Sequence, residues 1–155
     1  MSINDELPDQ LSGLLLRACN DGANLDREIY LPTYSSWHDG QGTHYGKPVC
    51  RVCLAGAVIA GTLKTPSGAR FSFSSCDYDT IRHLTALDAL REGKVEEAVK
   101  EMKIEMTKTQ QTKVEELNEK WYDNLGYSDF WDWESFEREL ADMVQLALDL
   151  REIGL

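Results

Sequence analysis

The chain has 155 residues, 42% of them apolar and 28% charged, with a net charge of −11, which suits one domain with a core of its own rather than two. An acidic balance without a basic patch speaks against direct binding to a nucleic acid backbone or an anionic membrane. No apolar run reaches bilayer length and residues 1–6 lack the basic-then-apolar pattern of a secretory signal, so a cytoplasmic location is expected.

In chain order, a first helix is expected from about Pro8. Leu7, Leu11, Leu14, Leu15, Ala18 and Cys19 recur at three- and four-residue spacing, and Gly22 supplies a stop. Residues 24–46 read as a long loop: Asp39-Gly40 and Gly42 are turn signals, and Tyr30, Tyr34, Trp37 and Tyr45 give it an aromatic character. A second helix is expected over about 48–63. It is apolar on nearly all sides and rich in Ala55, Gly56, Ala57, Ala60 and Gly61, so neighbouring helices can approach it closely. Residues 28–31 and 69–73 could pair as a short ribbon. Ser75 or Asp77 can cap a third helix with Tyr78, Ile81, Leu84, Leu87 and Leu90 on one face, ended by Gly93. A further helical segment follows from Lys94 to Met106. The polar run 108–112 reads as a break or as an exposed turn of a longer helix, and Val114, Leu117, Trp121 and Leu125 resume the stripe. The last helix runs from Glu134 to about Ile153. The expected fold is therefore mainly α: a single domain over 1–155, with five to six helices around the buried small-residue helix and at most a short two-stranded ribbon.

Two patterns could carry chemistry. Cys50 and Cys53, joined by His38 and His44, would make a zinc set of four ligands. Without a second cysteine pair the pattern is weak, and a buried cysteine is more often a small hydrophobe. Cys50, two residues after Pro48 and beside Arg51, meets the description of a cysteine at a helix N-terminus, whose thiolate is stabilised, and His38 or His44 could act as its base. No nucleophile elbow, P-loop or dinucleotide fingerprint is present. The balance favours a protein that is not an enzyme and needs no cofactor, with a small zinc-binding or thiol-dependent protein centred on Cys50 and Cys53 as the minority reading.

The C-terminal part points elsewhere. Residues 115–155 carry 12 acidic and 3 basic side chains. Glu115, Glu116, Glu119, Asp123 and Asp132 could present this charge to a basic protein surface. Tyr127, Trp131 and Trp133 add the residue types that dominate binding hot spots. A solvated face that keeps a helical protein soluble is the plainer account of the same charges.

Ser36-Trp37-His38, a glycine-containing gap, and then Cys50, Val52, Cys53, Leu54, Ala55, Gly56, Ala57, Val58, Ala60, Gly61, Thr62 and Leu63 resemble a pattern in small uncharacterised proteins of tailed bacteriophages and prophages. The resemblance covers roughly residues 30–100. It implies an accessory protein working in the host cytoplasm and carries no activity with it. The expected partner is a host protein with a basic surface, such as a nucleic-acid-handling or defence protein that is inhibited or modulated. A structural or assembly role, with homodimer formation, is the alternative.

Overall fold

The computed structural model describes residues 7–24, 39–44, 47–52, 54–63, 77–122 and 133–155; for 39–44, 47–52, 60 and 133–139 it describes the backbone. Among these are six helices and one two-stranded ribbon: α1 (Leu11–Ala23), β1 (Asp39–His44), β2 (Lys47–Val52), α2 (Leu54–Ala60), α3 (Tyr78–Arg91), α4 (Val95–Glu101), α5 (Lys108–Trp121) and α6 (Trp133–Glu152). The mainly α expectation holds.

The apolar face foreseen for the first helix is buried throughout, from Leu7 to Cys19. It packs against α6 and α2, and α2 in turn packs on α3. Residues 54–59 are all buried, as a helix without a polar face requires. Leu11, Leu14, Leu54, Ile59, Leu84, Leu87, Leu90 and Met143 are fully buried in one continuous cluster. Each such side chain contributes about 1.5–3 kcal/mol on removal from water.

Several boundaries differ from the sequence reading, each for a local reason. The first helix starts at Leu11 rather than Pro8, and Gly22 lies buried inside it instead of ending it. Its Ser12 N–H, one of the donors left over at a helix start, is taken by the Leu155 carbonyl at 3.1 Å, so the turn that follows α6 caps α1. The second helix is shorter than 48–63. Lys47–Val52 is a strand, antiparallel to Asp39–His44 in a register that closes on His44↔Lys47. Pro48 is tolerated because both strands of a two-stranded ribbon are edges. The loop assignment for 39–44 thus gives way to a strand made of glycine and polar residues, which has no apolar alternation to announce it. The ribbon foreseen between 28–31 and 69–73 lies outside the described residues, as does the aromatic loop over 25–38.

The third helix begins and ends as expected. The Asp77 carboxylate accepts from the Thr80 N–H at 3.0 Å, and Gly93 adopts φ +75° just past the end. Tyr78, however, is 65% exposed rather than part of the apolar face. The helical run from Lys94 stops at Glu101, not Met106, and 108–112 is the start of α5 rather than a break.

Three helices end in the same way. The Gly93 and Lys94 N–H groups return to the Leu90 and Ala89 carbonyls, those of Lys103 and Ile104 to Lys100 and Val99, and those of Gly154 and Leu155 to Arg151 and Leu150. This paired closure, the Schellman motif, needs a left-handed residue at its turn. Gly93 and Gly154 provide it without strain. At the end of α4 that position is held by Lys103, φ +53°.

Candidate binding surfaces

Helix α5 is the least embedded of the helices whose side chains are described. Of its 14 residues only Val114 and Trp121 are buried, and polar contacts hold both of its ends. At the start, the Thr107 hydroxyl accepts from the Gln110 N–H at 3.1 Å while the Gln110 side-chain oxygen accepts from the Thr107 N–H at 3.0 Å. This is a reciprocal capping box. The Gln110 amide also donates to the Ile153 carbonyl at 3.0 Å. At the far end the Trp121 backbone carbonyl lies so close to Gly93 that a Cβ there would meet it at 2.2 Å.

Asp149 of α6 completes this attachment. Its carboxylate accepts from Trp121 Nε1 at 3.1 Å, from Lys120 Nζ at 3.0 Å and from the Gln145 amide at 3.0 Å. Burial works to raise the Asp149 pKa, but the hydrogen bonds from Gln145, Lys120 and Trp121 outweigh it and hold the carboxyl below its usual value.

The outer side of α5 carries the predicted acidic residues. Glu115, Glu116 and Glu119 are all exposed. Glu116 makes a 3.5 Å ion pair with Lys113, itself half exposed, and such pairs contribute little. Of the other predicted contact residues, Trp133 is the first residue of α6, whereas Asp123, Tyr127, Trp131 and Asp132 lie outside the described residues.

A second surface was not foreseen. A groove of about 640 Å³ runs over α4 between the start of α3 and the end of α5. Tyr78 stands on one side and Tyr122 on the other, 65% and 47% exposed. Lysines 94, 100 and 103 and glutamates 96, 97 and 101 line it. The Lys103 ammonium lies 5.3 Å from the centre of the Tyr78 ring, a cation–π distance. The sequence signal was available but ambiguous: a tyrosine directly after a capping aspartate has helical spacing to Ile81, yet a first-turn residue can project past the end of the core.

The thiol and metal candidates are placed as follows. Cys50 stands in β2, opposite Gln41, so the helix-start argument for a stabilised thiolate does not apply to it. His44 is three pairs along the same ribbon, about 10 Å of strand away. His38 and Cys53 are outside the described residues. Among the described residues no group of three or more His, Cys, Asp or Glu is placed to hold a metal ion. Cys19 is buried, and burial pushes its thiol up to about 12, leaving it neutral and a poor nucleophile near pH 7.

His83 is a buried polar residue that the sequence did not single out. It is 1% exposed. Its Nδ1 meets the Asp79 carbonyl and its Nε2 the Asp9 carboxylate at 3.0 Å, which ties the segment before α1 to α3. No protein-family model, curated protein or solved structure matches this chain.

Proposed function

We propose that this chain is a non-enzymatic, phage-type accessory protein that acts by contact with another protein, offering the acidic side chains of its C-terminal part to a basic surface. The observation that carries the reading is the mounting of α5. The helix is fixed at both ends by capping, by Gly93 and by Asp149, and Glu115, Glu116 and Glu119 remain exposed between those ends. A surface helix whose order does not depend on burying its outer face can present that face to a partner without a large ordering cost. The net charge of −11 adds long-range attraction for a cationic partner. The resemblance of residues 36–63 to phage and prophage proteins supports a host protein as the target, one that handles nucleic acid or serves in defence.

The test is salt-dependent co-purification of a basic host protein with the full chain. Glu116→Lys with Glu119→Lys should abolish the association while leaving the helical circular dichroism intact. Association unchanged by the double reversal would overturn the reading. No membrane contact is needed for it, and none of the described helices is long and apolar enough to cross a membrane.

A further inference from the structure

We infer that the groove over α4 is a docking site for an arginine-bearing segment of a partner protein, with Tyr122 as the stacking surface and Glu97 and Glu101 as the carboxylates that receive the guanidinium. The inference rests on the reading above that the partner is basic, and names a different surface as the place where its side chains are recognised.

The charges in the groove decide the occupant. By count the lining is balanced, with three lysines and three glutamates. By engagement it is not. Lys94 Nζ is 2.8 Å from a Glu92 carboxylate oxygen, and that hydrogen bond, with the nearby Glu92 and Glu97 charges, raises its pKa. Lys103 lies over the Tyr78 ring. Lys100 and Lys103 keep ammonium groups that no carboxylate pairs among the described residues. The carboxylates of Glu96, Glu97 and Glu101 likewise take part in no salt bridge among the described residues. The groove therefore offers three unpaired carboxylates against two unpaired ammonium groups, and an open tyrosine.

Guanidinium fits this set better than ammonium. It is planar, forks onto carboxylates with two parallel hydrogen bonds, and stacks on an aromatic ring. Lysine can supply the charge but neither the fork nor the stack. An acidic segment would meet three carboxylates for two unpaired ammonium groups. A second copy of this chain would bring its own charge of −11 to a concave surface.

Lys103 adds a sharper point. Its ammonium competes with an incoming cation for the Tyr78 ring, and its left-handed backbone is one that glycine holds at the two equivalent helix ends. Removing its side chain frees that ring and takes away one like charge.

Fluorescence anisotropy with a labelled alternating arginine–alanine peptide, and with lysine and glutamate versions of it, tests the proposal on the full chain at an ionic strength of about 0.15 M. The arginine peptide should bind at least about threefold tighter than the lysine one, and the glutamate peptide should not bind. Tyr122→Ala should weaken the arginine peptide about tenfold, the scale of an aromatic hot spot. Glu97→Gln with Glu101→Gln changes only exposed or half-exposed groups and should weaken it similarly, and Lys103→Gly should strengthen it. Equal affinity for the arginine and lysine peptides, or arginine binding indifferent to the paired glutamate variant, would overturn the groove. Binding lost on Glu116→Lys with Glu119→Lys but unchanged by Tyr122→Ala would also overturn it while leaving the acidic-helix reading intact.

Discussion

Two joints between helices use an aspartate, and they work in opposite ways. At the α1–α2 joint the Thr62 hydroxyl donates to the Asp21 carboxylate, beside Gly61, where a Cβ would come within 2.6 Å of Asp21 Cγ. Burial raises the Asp21 pKa, and the hydrogen bond from Thr62 and the Arg17 charge only partly offset it. At the α5–α6 joint, Asp149 gathers three donors and its pKa is lowered. The first joint is closed by packing, and its carboxylate is a burden the packing tolerates. The second has little packing, and its carboxylate is the fastener. A surface helix that must keep its outer face open is attached by directional bonds at its ends rather than by a broad apolar stripe.

Gly93→Ala should have the largest effect, because it strikes the backbone of Trp121, the α5 residue that Asp149 holds. The new Cβ would meet the Trp121 carbonyl, and a left-handed φ would be imposed on alanine. The cost should be about 3 kcal/mol or more, combining overpacking with left-handed strain. Gly61→Ala should cost less, about 1–2 kcal/mol, since the obstacle is the movable Asp21 side chain. Thermal unfolding of the two variants compares them, and a larger loss for Gly61→Ala would contradict this order.

The two aspartates should also respond to pH with opposite signs. The depressed Asp149 pKa gives stability that is present above the ordinary value of 3.8 and lost as pH falls through the folded value. The raised Asp21 pKa gives stability that is full below 3.8 and lost as pH rises through the folded value. Asp149→Asn should therefore be costly at pH 7, about 2 kcal/mol from the weaker acceptor left to the part-buried Trp121 indole, with the difference from the parent shrinking toward pH 3. Asp21→Asn should compare best with the parent at pH 7 and progressively less well on acidification. Urea unfolding across that range reads both slopes; slopes of the same sign would break the comparison.

Much of this was legible in the sequence where burial dictates it. The spacing of Leu11, Leu14, Leu15 and Ala18 and the small residues after Leu54 leave few alternatives for a chain in water. The ribbon was not legible, because Gly40, Gln41 and Gly42 carry no apolar alternation and Pro48 argued for a helix start. The start of α5 carries a signal of its own. Thr107-x-x-Gln110 is a capping signature, but the polar residues after it masked the beginning of a helix that buries so little. The groove was hidden for a different reason. Tyr78, Lys103 and Tyr122 are far apart in sequence, and only the packing of α3, α4 and α5 brings them around one hollow. The acidic residues of α5 needed no folding to be noticed, because they share one short helix.

Lys103 gives the smallest effect and the most discriminating one. Lysine in the left-handed region is strained by about 1 kcal/mol relative to glycine. Its ammonium over the Tyr78 ring, at an exposed site, returns about 0.5–1 kcal/mol. Lys103→Gly should therefore be neutral or up to about 0.5 kcal/mol more stable, the residual difference between those two effects. Lys103→Ala keeps the strain and loses the contact, so it should cost up to about 1 kcal/mol. Both can be measured by urea unfolding, against Tyr78→Ala as the partner substitution. If Lys103→Ala is instead neutral and Tyr78→Ala does not alter its effect, the ammonium contributes nothing at the ring and Lys103 does not compete for it. A coupling between the two substitutions would show that a glycine position has been given to lysine for its charge, at the edge of the one described groove that faces two exposed tyrosines.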